Sequence, residues 1–163
     1  MDAMMLNVLF LCTGNSCRSI MAEALLKHFG KGRFRAFSAG SFPTGKIHPL
    51  SLATLERHAI PSLGFESKSW DVFKDVRMEL NVVITVCDNA VNETCPIFPG
   101  APVKAHWGTP DPAHFKGTSQ EIEAEFDRVF AILERRVKAL VALPVETMDG
   151  ATFISQLNAI GKL

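Results

Sequence analysis

The stretch Asn7 to Ser19, NVLFLCTGNSCRS, permits few folds. Asn7 to Leu11 is a short apolar run, the pattern of a strand buried in a parallel sheet, and Cys12 ends it. Thr13, Gly14, Asn15, Ser16 and Cys17 are small or turn-forming, and from Arg18 to Phe29 apolar residues recur at helical spacing through Ile20, Ala24, Leu25 and Phe29. The reading is a strand, a tight loop and a helix start. Such a loop turns several backbone N–H groups toward one point, where the positive end of the helix dipole adds to them, so residues Thr13, Gly14, Asn15, Ser16, Cys17, Arg18 and Ser19 would cradle a tetrahedral oxyanion. Arg18 would close the cradle with a two-pronged guanidinium contact. Cys12 would lie at its floor, where the same positive field lowers a thiol's pKa and makes a thiolate nucleophile near neutral pH. Gly14 and Asn15 tolerate left-handed backbone, and Ser19 could donate to the thiolate. A cysteine at a strand end is more often a small hydrophobe. The loop and Arg18 set this one apart.

The chain has 163 residues, enough for one core without covalent staples. Its 17 basic and 17 acidic residues balance, and no basic stripe is present, so neither nucleic acid nor an acidic membrane is expected as a partner. Apolar runs such as Val82 to Cys87 are too short to span a bilayer, and Met1 to Leu6 lacks the features of a signal peptide. A cytoplasmic protein is expected. In that compartment four cysteines, Cys12, Cys17, Cys87 and Cys95, point to catalysis or metal binding rather than a disulfide frame. Their intervals of five, seventy and eight, with no histidine close in sequence, do not suit zinc.

Along the rest of the chain, Arg33 to Ser38 reads as a short strand, with a turn at Ser38-Ala39-Gly40, and Pro49 to His58 as a helix with Leu52 and Leu55 inward. Leu63 to Trp70 is polar and irregular, and Asp71 to Arg77 is read as a short helix. Asn81 to Val86 is a second buried strand and Val103 to His106 another. Ser119 to Leu143 is the strongest helix, with Ser119 as N-cap and Ile122, Phe126, Val129, Phe130, Leu133 and Val137 as its apolar stripe; Pro144 stops it. A terminal helix within Val145 to Leu163 would start at Asp149 and pack on the domain through Phe153, Ile154, Leu157 and Ile160. Strands alternating with helices predict an α/β domain with a doubly wound parallel four-stranded sheet flanked by helices, over residues 1–144, followed by a helical extension over 145–163. In such sheets the loops after the strands share one edge, where ligands bind, so Cys87 should face the same crevice as Cys12.

CTGNSCRS followed by MAEAL resembles the signature of the low-molecular-weight protein tyrosine phosphatase superfamily, in particular its arsenate reductase branch. The resemblance runs from about Asn7 to about Leu143 and takes in His106-Trp107-Gly108 and Asp111-Pro112. It implies that Asp111 is the general acid, a neutral carboxyl protonating the oxygen that leaves the central atom. Phosphatases of this superfamily carry aromatic residues after the Asp-Pro. Here Ala113 and His114 follow, and the chain has no tyrosine, which argues against a phosphotyrosine substrate.

Arsenate has the shape and charge of phosphate, but its reduction takes two electrons, which two thiols supply by forming a disulfide. The resemblance therefore implies that Cys12 attacks arsenic, that Cys87 attacks the Cys12 sulfur and expels arsenite, and that Cys95 then draws the disulfide outward to thioredoxin. The interval of eight between Cys87 and Cys95 is one residue longer than the thioredoxin-linked pattern, so a glutathione and glutaredoxin route stays open. Cys95 could not reach Cys87 within a regular helix, where eight residues span about 12 Å. No organic cofactor is implied; a potassium ion held by Asn15, Glu23, Ser38 and Asp71 is. A monomer is expected. The alternatives are a tyrosine phosphatase or other phosphomonoesterase, and an anion-binding or redox-sensing protein without turnover.

Overall fold

The computed structural model describes residues 5–74, 79–87, 98 and 102–163. Strands β1 (Leu6–Leu11), β2 (Phe34–Ala39), β3 (Val82–Thr85) and β4 (Val103–His106) form one sheet in the order β2-β1-β3-β4, every pair parallel. The helices are α1 (Arg18–Phe29), α2 (Pro49–Arg57), α3 (Ser119–Val141) and α4 (Gly150–Ile160). The predicted doubly wound sheet is present, and its order reverses between β1 and β3. There the crossovers leave in opposite directions and the loops part, opening a crevice at the carboxyl ends of the strands. Cys12 follows β1 and Cys87 follows β3, so both stand at that switch point.

The alternation of β1 divides the core. Val8 and Phe10 face one layer with Val82 and Ile84, against α1, α3 and α4. Leu9 and Leu11 face the other, against Phe73, Leu80 and Phe98. Helix α1 is buried continuously from Ser19 to Leu26 because it lies between the sheet and α3, so it carries no polar stripe, as a helix enclosed on all sides need not. Helix α3 does carry one, and Phe126, Val129, Phe130, Leu133, Val137 and Leu140 are all buried on its inner side.

Several local expectations are corrected. The N-cap of α3 is Thr118 rather than Ser119: its hydroxyl accepts from the Glu121 N–H while the Glu121 carboxylate accepts from the Thr118 N–H, a reciprocal pair that satisfies two free donors. Ile122, at the helix's outer end, is only half-buried, and so is Leu52 of α2, whereas Leu55 is fully buried. The helix expected over Asp71 to Arg77 is a 3-10 turn at Trp70–Phe73, and residues 75–78 lie outside the described residues.

Helix α4 packs on the domain, capped by Asp149, whose carboxylate accepts from the Thr152 N–H. Leu157 and Ile160 enter the core and Phe153 is half-buried, but Ile154 points outward. The contact is directional as well as apolar: the Trp107 indole N–H, fully buried, donates to Leu157 O at 2.9 Å. A Cβ on Gly161 would stand 2.6 Å from His106 O, so only glycine lets the end of α4 approach β4 this closely. Among the described residues no helix is long and apolar enough to cross a membrane.

Candidate active site

The loop after β1 is held by its carbonyls. Thr13 O accepts from the Phe42 N–H at 3.0 Å, Gly14 O from the Thr44 N–H at 3.0 Å and the Ser67 hydroxyl at 3.1 Å, and Ser16 O from the His48 N–H at 3.0 Å. With these carbonyls turned to the surrounding chain, the backbone N–H groups from Asn15 to Arg18 have no protein acceptor among the described residues. Asn15 takes the left-handed conformation (φ 47°) that reverses the loop, and its buried amide locks it, donating to Ser19 Oγ at 2.8 Å and accepting from the Lys68 N–H at 2.8 Å. The expectation of left-handed backbone thus holds at Asn15 and not at Gly14. Ser19 is engaged with Asn15. Helix α1 starts here with no capping side chain and no acidic residue in its first turn, so its own first turn leaves the positive end of its dipole uncompensated.

Gly40, at the end of β2, sets how closely the loop is supported. A Cβ there would lie 2.4 Å from Thr13 O and 2.7 Å from Cys12 O, both backbone atoms that cannot swing aside. Gly40→Ala is therefore expected to destabilise the protein by about 1–3 kcal/mol and to weaken phosphate binding by pushing the loop off its seat. Urea unfolding and phosphate titration would measure the two effects.

Arg18 extends from the first turn of α1 across the loop. Its Nη1 donates to Thr109 O at 3.0 Å, its Nη2 lies 3.2 Å from Asp111 Oδ2, and its Nε is buried with no acceptor. A buried guanidinium N–H without a partner, next to the loop's unpaired N–H groups, leaves a donor available to an oxyanion held there. Asp111 is held on its other side by its own turn, Oδ1 accepting from the Ala113 N–H at 2.9 Å, and His114 Nε2 stands 3.4 Å from Oδ2.

Cys87 joins the loop as expected. The Thr13 N–H donates to Cys87 Sγ at 3.3 Å, and Cys12, Cys17 and Cys87 are all buried free thiols. Cys95 lies outside the described residues. The cradle's field does not give Cys12 the lowered pKa expected of it. The hydrogen bond that the Cys12 thiol donates to Cys87 holds its proton and pushes its pKa up, and burial adds to this, while Arg18 and the Gly14 N–H pull it down without prevailing. Two thiols in one buried site resist carrying two negative charges. Burial likewise raises Cys17, against the Ser51 and Ser16 hydroxyls.

Of the residues expected to hold potassium, Ser38 and Glu23 meet in a buried hydrogen bond, and burial pushes the Glu23 carboxyl up. Asn15 Oδ1 is engaged by the Lys68 N–H, and Asp71 is exposed and paired with Lys74 at 3.0 Å. The Lys68 and Lys27 ammonium groups already favour charge on Glu23. Among the described residues no cluster of three or more His, Cys, Asp or Glu could hold a metal ion.

Three contributors escaped sequence reasoning. Thr109 carries no motif of its own. Phe42, three-quarters exposed, adjoins the loop through its backbone and brings an aromatic ring to the site's vicinity from a segment other than the Asp-Pro turn. Arg136 was legible in principle, since it interrupts the apolar stripe of α3 one turn after Leu133, where a charged side chain needs a buried partner.

The family model for the low molecular weight phosphotyrosine protein phosphatase matches residues 7–149. An arsenate reductase of Bacillus subtilis is 34% identical over 80% of this chain and 91% of its own length. A solved arsenate reductase in its phosphate-binding state superposes with a TM-score of 0.65 at 30% identity, covering 85% of this chain and 98% of that one. The thioredoxin-dependent arsenate reductase of Corynebacterium glutamicum gives a TM-score of 0.58 at 29% identity, covering 85% of this chain and 64% of that one. With its Cys-x5-Arg loop at the switch point of a parallel sheet, this chain belongs to the low molecular weight phosphotyrosine protein phosphatase family, in its arsenate reductase branch.

Proposed function

We propose that the protein reduces arsenate to arsenite through a relay of its own cysteines, in the cytoplasm, for detoxification of arsenic. The observation that carries the reading is the buried Cys87 thiol, which accepts from the N–H of Thr13, the residue next to Cys12 in the oxyanion loop, at 3.3 Å. A hydrolytic phosphatase needs only Cys12. A second thiol within reach of the first is what a two-electron reduction adds.

The loop N–H groups and Arg18 bind the arsenate oxygens. On binding, Arg18 turns from Asp111 toward the anion. Cys12 yields its proton to an oxygen of the bound arsenate dianion, the resulting thiolate attacks arsenic, and that oxygen leaves as water with a second proton from Asp111. Cys87, as thiolate, then attacks the Cys12 sulfur. The sulfur–sulfur bond forms, the electron pair of the arsenic–sulfur bond stays on arsenic, and arsenite departs reduced by two electrons. Cys95 attacks Cys87, releasing Cys12 as thiolate and leaving a Cys87–Cys95 disulfide for an external dithiol. Thioredoxin is the donor we favour, as in the Corynebacterium glutamicum relative, with glutathione and glutaredoxin as the other route.

The test is arsenite formation from arsenate with thioredoxin, thioredoxin reductase and NADPH, and separately with glutathione and glutaredoxin. Multiple turnover with either is expected. No turnover with both, together with Cys12-dependent hydrolysis of an aryl phosphate, would make the protein a phosphatase instead.

A further inference from the structure

Arg136 is a guanidinium on the inner side of α3, 6% exposed, with no carboxylate at ion-pair distance among the described residues. Burial works against its charge, and the neighbouring Arg135 adds to that. Its partners are two neutral acceptors in the turn between β4 and Asp111: Nη1 donates to Gly108 O at 3.0 Å and to Thr109 Oγ1 at 3.1 Å. Its Nε has no acceptor. An arginine buried against neutral groups is a poor stabiliser, since an apolar side chain of similar volume is often as good or better there. Its placement therefore calls for another explanation.

Thr109 supplies one, because each of its polar groups is tied to a different part of the site. Its N–H donates to Val86 O at 3.0 Å, next to Cys87; its carbonyl accepts from Arg18 at 3.0 Å; its hydroxyl donates to Trp107 O at 2.7 Å and accepts from Arg136. Asp111 is two residues further on. We propose that Arg136 is a positioning residue for proton donation: by pinning Gly108 and Thr109 from behind, it fixes the turn that aims Asp111 at the leaving oxygen. A guanidinium suits this because the two N–H bonds of Nη1 are fixed in one plane and meet the two acceptors in a set geometry, whereas a lysine ammonium turns freely about its stem. When an oxyanion draws Arg18 away, the site loses one of the two guanidinium groups on Thr109. Arg136, bonded to Gly108 O and Thr109 Oγ1, keeps the turn in place.

The inference rests on Asp111 as proton donor, and its test separates the two. Hydrolysis of p-nitrophenyl phosphate, whose leaving group departs readily, is compared with that of phenyl phosphate, whose leaving group needs the proton, in wild type, Asp111→Asn, Arg136→Met, Arg136→Lys and Thr109→Val. Misplacing the acid should lower kcat for phenyl phosphate by roughly tenfold or more beyond any loss with p-nitrophenyl phosphate, as Asp111→Asn itself should. Arg136→Met and Thr109→Val should share that signature, with KM little changed, and Arg136→Lys should recover part of it. Thr109→Val decides the matter if Arg136→Met does not fold. Equal losses on both substrates, or none, in folded Arg136 and Thr109 variants beside a selective Asp111→Asn would overturn the inference alone. An unselective Asp111→Asn, or a wild type without Cys12-dependent hydrolysis, would overturn the Asp111 reading and the inference with it.

Discussion

Cys12→Ser should abolish arsenate reduction and aryl phosphate hydrolysis together, each by roughly three orders of magnitude or more, because both reactions begin with the same sulfur attacking the central atom. Serine keeps the size and much of the hydrogen bonding but ionises far less readily, and its oxygen cannot enter a disulfide. The cradle should survive the change. Its N–H groups, the dipole of α1 and the unpartnered Arg18 Nε belong to other residues, so the variant should still bind phosphate or arsenate. Calorimetric titration beside the two activity assays would check this. A variant that retained hydrolysis would mean that a thiol other than Cys12 starts the reaction, and only Cys17 and Cys87 are buried near enough among the described residues. A variant that lost anion binding as well would mean the sulfur shapes the loop rather than only reacting in it.

Why the loop could be read in advance, and its chemistry only in part, follows from where the determining contacts lie. The strand, loop and helix of residues 7–29 are specified locally, by an apolar run, a cluster of turn formers and a helical period, and they form within one residue of expectation. Cys87 could be placed at the same crevice because the edge of a parallel sheet is a consequence of topology. The ionisation of Cys12 was misjudged for the opposite reason. It depends on how close the Cys87 sulfur comes, across a sheet register that joins residues more than seventy positions apart. Thr109 escaped notice on the same grounds, since four of its hydrogen bonds run to other segments or across its own turn and none leaves a periodic mark. Ile154 shows the limit of an apolar stripe. Helix α4 is short and meets the domain along one narrow line, so Leu157 and Ile160 take the inner positions and Ile154 is left outside.

Cys87→Ala should separate the two activities and move the pH dependence of the one that remains. Multiple-turnover reduction should be lost, since no second thiol is left to attack the Cys12 sulfur and release arsenite, while hydrolysis should persist because water completes that cycle. The sign of the pH effect follows from the groups around Cys12. There the foremost cause holding the Cys12 proton is the Cys87 side chain, both as a hydrogen-bond partner and as a neighbouring charge, with burial second and Arg18 and the Gly14 N–H opposing. Removing Cys87 removes both of its contributions and leaves the opposing groups in place. The Cys12 pKa should therefore fall, and thiolate should form at lower pH than in the wild type. Alkylation of Cys12 by iodoacetamide, followed by peptide mapping across a pH series, should show its midpoint displaced to the acid side, and the rising limb of aryl phosphate hydrolysis should move the same way. A midpoint that does not move would mean the sulfurs are not coupled. Sustained multiple-turnover reduction by Cys87→Ala would falsify the relay, and Cys87 would then be a strand-end residue packed beside the nucleophile.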